Sequence, residues 1–292
     1  MKMWKQVGMM AFFLCAIVVA SLTVGKPVYA ASSSDYQQLF SGASDYGRIP
    51  EKHGKYYFKY LNGKVYMSKK KSSGYKATPL EYNSYTNGKQ AYYISKNTLC
   101  KYTFSNKKAK KLKKMPVKKD YYFYLSEVYG NQIFITKESF DEWTYWTYCY
   151  NTKTKKLKNI KKNCTIVNRH GKYVVAQNSY RSDVSPTPVT LYKITSSGLK
   201  KIKKLAERGF NSAFVGGKLY YTEYADVYMT KVTLYRCNSN GKGKKALGTF
   251  TSSSEYGQVL VQKITSKKCT VYIIDEGLYE YTYSTKKLKK IN

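Results

Sequence analysis

Aromatic and β-branched residues recur along the chain in short runs, separated by turns and by lysine-rich stretches. One set of runs reads GKYYF (54–58), QAYYI (90–94), QIFIT (132–136), KYVVA (172–176), KLYYT (218–222) and TVYII (270–274). Five of the six are introduced by a turn signal: His53-Gly54, Asn87-Gly88, Gly130-Asn131, His170-Gly171 or Gly216-Gly217. Continuous aromatic and β-branched runs of this length predict buried strands. A second set follows each of these: VYMSK (65–69), LCKYTF (99–104), TYCYNT (147–152), LYKITS (191–196), LYRCNS (234–239) and LYEYTY (278–283). Here large apolar and polar residues alternate, the period of a half-buried strand. No stretch beyond the first 30 residues has the periodicity of an amphipathic helix.

A turn such as Ser72-Ser73-Gly74, Ser196-Ser197-Gly198 or Asn240-Gly241 comes next, and then a lysine tail. A Lys-Lys pair followed by an apolar or small residue begins at Lys110, Lys155, Lys200, Lys244 and Lys286, at steps of 45, 45, 44 and 42 residues. Charge on both sides of isolated apolar residues suits a short outer edge strand, where lysine also discourages edge-to-edge pairing. A period in the forties means one supersecondary unit copied several times. Six units of four short antiparallel strands predict an all-β fold, a six-bladed β-propeller. A β-solenoid fits less well, because its repeats are shorter and its strands parallel. Units such as Gly217-Lys218-Leu219-Tyr220-Tyr221 followed by Leu234-Tyr235-Arg236-Cys237-Asn238-Ser239-Asn240-Gly241 resemble the secreted six-bladed propellers of Gram-positive bacteria, relatives of the YWTD propellers of lipoprotein receptors. That resemblance implies binding of a ligand or partner rather than one defined activity, and it carries over no catalytic residue.

The N-terminus reads differently. Lys2 and Lys5 precede an apolar run from Met9 to Val24, and Val28-Tyr29-Ala30 places small residues at the positions of a cleavage site. Residues 1–30 are expected to be a secretory signal peptide; the competing reading is an uncleaved anchor, for which 16 apolar residues are slightly short. Residues 31–44 read as a flexible, Ser-rich leader, and 45–292 as a single propeller domain. No later apolar run is long enough to span a membrane, so the exported chain is expected in solution or at the cell surface, as a monomer. Of the cysteines, Cys100, Cys149, Cys164, Cys237 and Cys269 follow the leader. Their odd number, scattered offsets and lack of a C-x-x-C argue for buried thiols, against both a disulfide framework and a zinc site.

The net charge of +35 comes almost wholly from lysine, with Arg48, Arg169, Arg181, Arg208 and Arg236 the only arginines. Lysine gives a diffuse field that attracts polyanions, whereas base and phosphate reading favours the planar arginine fork. No specific nucleic-acid partner is therefore expected. A codon habit that enriches Lys and Tyr together would produce part of the same charge. No catalytic motif, cofactor loop or metal motif is present, and His53 and His170 occupy equivalent turn positions, which speaks for a structural role. The acids are more telling. Eight of the 17 fall between the second and third strands of units three to six. In a propeller those connections share one face, and the lysine-rich turns share the other. The loop-face candidates are Asp141, Glu142, Trp143, Tyr180, Arg181, Asp183, Glu223, Tyr224, Asp226, Asp275 and Glu276, with Trp146 and Tyr228 as further aromatics. Carboxylates among aromatic rings suit a peptide, a glycan or a protein partner. Lys113, Lys114, Lys289 and Lys290 are the candidates for contact with anionic wall polymers such as teichoic acids. The expectation is a non-catalytic binding or scaffolding module of the cell envelope. The alternative is a glycosidase or polysaccharide lyase on the same fold, with acids from two blades paired across the channel.

Overall fold

The computed structural model describes residues 36–40, 49–116, 121–139, 144–177, 186–254 and 257–291. Among them there are 25 strands and no helix. A short strand, β1 (Gln37–Gln38), precedes the first blade. Blade 1 holds β2 (Glu51–His53), β3 (Tyr56–Leu61), β4 (Lys64–Ser68) and β5 (Lys76–Ala77). Blade 2 holds β6 (Tyr85–Thr86), β7 (Gln90–Ser95), β8 (Thr98–Thr103) and β9 (Lys108–Lys114). Blade 3 holds β10 (Tyr121–Tyr129), β11 (Gln132–Ser139), β12 (Tyr145–Asn151) and β13 (Leu157–Lys162). Blade 4 holds β14 (Thr165–His170), β15 (Tyr173–Gln177), β16 (Thr187–Thr195) and β17 (Gly198–Gly209). Blade 5 holds β18 (Ser212–Val215), β19 (Lys218–Tyr224), β20 (Lys231–Asn238) and β21 (Lys245–Thr251). Blade 6 holds β22 (Val259–Gln262), β23 (Lys268–Ile273), β24 (Gly277–Thr282) and β25 (Lys287–Lys290).

In every blade the four strands pair in chain order, each antiparallel to the next. This is the six-bladed propeller that the repeat predicts. The lysine tails are β9, β13, β17, β21 and β25, the outermost strand of their sheets and mostly exposed. Blade 1 has no such tail, and its outer strand β5 is only two residues long. Because the strands alternate in direction, turns joining first to second and third to fourth strands lie on one face, the turn face. Connections from second to third strands, and from one blade to the next, lie on the other, the loop face.

The inner strands are buried on both sides, so alternate side chains feed two different neighbours. Val174 and Ala176 of β15 pack into the core between blades 3 and 4, and Val175 between them packs into the core between blades 4 and 5. Tyr221 and Tyr220 of β19 divide in the same way between blades 4 and 6. The described hydrophobic cores fill the junctions 1–2, 2–3, 3–4, 4–5 and 5–6. Among the described residues none joins blade 6 to blade 1, and neither sheet borrows a strand from the other. Polar side chains staple the inner strands: Asn168 Nδ2 donates to the Ser212 carbonyl at 2.5 Å, Asn211 Nδ2 to that of Val261 at 2.5 Å, and the Tyr85 hydroxyl to that of Ser126 at 2.7 Å. On the turn face Gly54 and Gly88 meet backbone to backbone. Both have positive φ, and a Cβ on Gly54 would lie 2.9 Å from the Gly88 carbonyl oxygen. Only glycine fits both places.

The five cysteines are buried and unbridged. Burial pushes the thiols of Cys149, Cys164 and Cys237 up to about 11, and that of Cys269 to about 12. They serve as small core residues.

The leader expected over 31–44 needs a correction. Residues 36–40 are part of the fold: β1 pairs with β6, the innermost strand of blade 2, and so lies inside it, in the channel. Tyr36, Leu39 and Phe40 are buried. Tyr36 packs on Tyr92 with ring centroids 5.1 Å apart, and its hydroxyl accepts from the Gln90 amide. Phe40 stacks on Tyr82 at 5.2 Å. Three blades hydrogen-bond to the segment, and a fourth backs one of them. The backbone N–H of Leu39 donates to the Ser84 carbonyl of blade 2 at 2.7 Å. Arg169 of blade 4 donates to the Tyr36 carbonyl at 3.1 Å, and its Nε lies 3.1 Å from Oε1 of Glu127 in blade 3, a buried ion pair that is not aligned as a hydrogen bond. His53 of blade 1 reaches the Leu39 carbonyl at 2.8 Å. Residues 1–30, the expected signal peptide, lie outside the described residues.

The His53 contact fixes its protonation. Nε2 must carry a hydrogen to donate to the Leu39 carbonyl, while Nδ1 is buried without a partner. Burial holds the ring pKa below 6.5, outweighing the opposing effect of the Leu39 bond. The unfolded chain therefore takes up a proton first as pH falls through about 6.5, and folding loses stability below that pH until the folded ring protonates too. The loss is expected between pH 7.5 and 5.5. Urea unfolding should show a steeper acid-side loss for the native chain than for His53→Gln. Parallel pH profiles would remove His53 from this role.

Candidate functional site

The two faces differ sharply in charge. The turns of the turn face carry Lys55, Lys69, Lys70, Lys71, Lys89 and Lys107 in blades 1 and 2, and Lys153, Lys155, Lys156, Lys172, Lys242, Lys244, Lys263, Lys267 and Lys286 further on. Neither Asp nor Glu occurs in any of these turns. Among the described residues the acids lie instead in the loop-face connections or in strands. Lys113, Lys114, Lys289 and Lys290 are exposed, but they stand at the loop-face ends of β9 and β25, on the rim. The outer strands do carry lysine as expected; the densest lysine lies at their other ends.

Among the described residues the loop-face candidates do not form one cluster. Asp141, Glu142, Trp143, Tyr180, Arg181 and Asp183 lie outside the described residues. Tyr224 is buried between blades 5 and 6 and belongs to the core, not to the loop surface. Its strand is covered on both faces, so its position at the strand end does not bring it to solvent. Glu223 is paired with Lys244 at 3.3 Å, across the Tyr235 ring that Lys244 overlies at 3.8 Å. Asp226 shapes its own loop: its carboxylate accepts from the Thr230 hydroxyl at 2.8 Å and the Thr230 N–H at 3.2 Å. Burial alone would raise its pKa, but those bonds, with others from the Tyr228 and Met229 backbone, hold it below the usual range. Glu276 accepts from the Ser253 N–H and hydroxyl, both at 2.8 Å, and these bonds lower its pKa. It ties the loop of blade 6 to the connection from blade 5. Asp275 is exposed at a left-handed turn position, φ 67°. Three of the five described candidates are thus loop-building groups or core.

A different set converges at the loop-face end of blade 3. The register brings Tyr122, Glu138 and Tyr145 side by side on the sheet surface that faces blade 4. The Tyr145 hydroxyl donates to Glu138 Oε1 at 3.0 Å, and the Tyr122 hydroxyl also bonds Glu138. Burial first, and then the Glu138 carboxylate, raise the Tyr122 pKa, so the phenol stays a donor. On the other surface Lys137 lies between two rings, 3.6 Å from the Tyr121 centroid and 4.3 Å from that of Trp146. Tyr121 and Trp146 meet edge to face at 5.8 Å. Of the described aromatics that the sequence assigns to the loop face, Trp146 takes part. Tyr228, 67% exposed, and Val227, 49% exposed, add apolar surface on blade 5. On one sheet surface a half-buried carboxylate held by phenols can accept hydrogen bonds, and on the other an aromatic pair carrying a cation can stack against a polar ligand such as a sugar or a peptide. Among the described residues no group of three or more His, Cys, Asp and Glu could hold a metal ion.

No protein-family model matches the sequence, and no curated protein is similar enough in sequence to count as a match. Solved structures are similar in fold. A post-proline cleaving enzyme from Rickettsia typhi aligns with a TM-score of 0.52 at 14% identity, over 83% of this chain and 44% of that one. An oligogalacturonate lyase in complex with manganese aligns at 0.46 and 10% identity, over 82% and 76%. An uncharacterised protein from Listeria monocytogenes aligns at 0.47 and 13% identity, over 90% and 84%. The chain is a β-propeller. The chain spans less than half the length of the Rickettsia enzyme, and identities this low speak to fold alone.

Proposed function

We propose that this propeller is an exported, non-catalytic binding or scaffolding module of the bacterial cell envelope. Its turn face adsorbs to anionic wall polymers, and its loop face holds a peptide, glycan or protein partner. One observation carries the reading: six blades bring only lysines, and no acid, to the turns of one face. Charges of one sign spread over a face attract a polyanion over a Debye length without needing a shaped pocket. The blade 3 cluster supports the second half, because its two sheet surfaces offer a carboxylate, on Glu138, and a stacking pair, Tyr121 with Trp146.

Changing Lys69, Lys70, Lys71 and Lys286 to Gln should weaken binding to an anionic polymer about tenfold or more at low salt, at roughly 1 kcal/mol per lysine before screening. The same change at Lys113, Lys114, Lys289 and Lys290 should cost less, because those side chains stand on the rim. Titration of both variants by fluorescence anisotropy checks this. Equal, small losses in the two sets would refute docking through the turn face. The rival reading, a carbohydrate-active enzyme, requires turnover of an oligosaccharide that Glu138→Gln abolishes.

A further inference from the structure

A cleft of about 240 Å³ opens between blades 3 and 4 on the turn face, lined by Cys149, Asn151, Thr154, Lys156, Lys158, Ser196 and Ser197. We propose that this cleft seats one phosphodiester unit of an anionic polymer. The proposal rests on the turn-face reading above and adds a specific place within it.

The two walls bring different donors. Lys156 and Lys158 come from the third-to-fourth turn and the outer strand of blade 3, and both are exposed. Ser196 and Ser197 come from the equivalent turn of blade 4. Each wall is held locally. Asn151 Oδ1 accepts from the N–H groups of Lys153 and Thr154 at 2.9 and 3.1 Å, and the Lys155 N–H donates to the Asn151 carbonyl at 2.8 Å. Opposite, Thr195 Oγ1 lies 3.1 Å from Ser197 Oγ and donates to the Gly198 carbonyl at 3.1 Å. The Gln132 amide of blade 3 donates to the Thr195 carbonyl of blade 4 at 2.5 Å, which ties the walls together. The separation of the two donor sets is therefore built into the blade junction.

The lining selects an anion, and among anions a tetrahedral one. It contains two cations and no Asp or Glu. The floor is the Cys149 thiol, which burial keeps neutral, so it adds no negative charge. Two compact ammonium groups facing hydroxyls can divide the oxygens of a phosphate among them. A planar carboxylate is better met by an arginine fork, and no arginine lines the cleft. Because the cleft opens onto the turn face, a polymer can enter and leave along its length.

The test uses the full chain with a short poly(glycerol phosphate) as probe and heparin, a sulfated polymer, as comparison. Lys156→Gln with Lys158→Gln should weaken phosphate-polymer binding about tenfold, and Lys113→Gln with Lys114→Gln about twofold or less, although both remove two charges. Ser196→Ala with Ser197→Ala keeps every charge. It should still cost about threefold for the phosphate polymer and leave heparin unchanged. Unchanged melting temperatures establish that the variants fold. Equal losses from the two lysine pairs, or no effect of the serine pair, overturn the seat while leaving diffuse adsorption standing. A native chain that binds neither polymer overturns the turn-face reading itself.

Discussion

A chain beginning at Ser41 is expected to melt about 10–20 °C below one that keeps residues 36–40. Those five residues look too few to matter, but their side chains are core. Leu39 is fully buried, Phe40 is 1% exposed and Tyr36 is 7% exposed. Removing them leaves a void among Tyr56, Phe58, Tyr60 and Tyr82 on one side and beside Tyr92 and Phe123 on the other. Burial of a large apolar side chain contributes about 1.5–3 kcal/mol, and a void that cannot collapse adds to the loss. The deletion also strips acceptors from Arg169 and His53, both of which point into the channel. A total of about 5 kcal/mol follows, and a domain of this size shifts by about 2–4 °C per kcal/mol. Thermal melts of the two chains decide the matter. A difference under about 3 °C would mean that the segment merely rests in the channel.

The second large effect is expected at Arg169. The Arg169 and Glu127 side chains are 12% and 8% exposed, so both charges are largely withdrawn from water. Breaking a buried pair from one side leaves the other charge uncompensated, at a cost of about 3–5 kcal/mol. Arg169→Met should therefore lower the urea unfolding free energy by that amount. Adding Glu127→Gln should recover a good part of it, because the stranded charge is then gone. In the chain beginning at Ser41 the same Arg169→Met change should cost less, since the Tyr36 carbonyl is no longer there to lose. A single-variant loss below about 1 kcal/mol, or a double variant no better than the single, would count against the pair.

The propeller was legible in the sequence because its signals repeat. A Gly-bearing turn, a run such as Lys218-Leu219-Tyr220-Tyr221 and a lysine tail recur often enough to mark each blade, whatever any single copy lacks. β1 was not legible for the opposite reason. Gln37-Gln38 has no strand character, pairs with a strand only two residues long, and occurs once. The site was less readable still. Asp226 and Glu276 look like open acids until their partners, Thr230 and Ser253, are seen to come from a loop fold and from a neighbouring connection. Tyr224 looks like a loop aromatic because it stands two residues past the KLYYT run, beyond Glu223, whereas β19 and its buried surfaces run on to Tyr224. The Tyr122–Glu138–Tyr145 group depends on cross-strand register, and a bulge between Leu125 and Glu127 shifts the inner part of that pairing.

The buried first strand also sets how the molecule bears load. Tyr36 lies toward the turn-face end of the channel and Phe40 toward the loop-face end, antiparallel to β6. A pull on the chain ahead of Tyr36 therefore runs along the strand and loads its bonds to blade 2 together, in shear. The Arg169 and His53 contacts from two other blades share that load. The point of loading, Tyr36, lies on the side where the lysines stand.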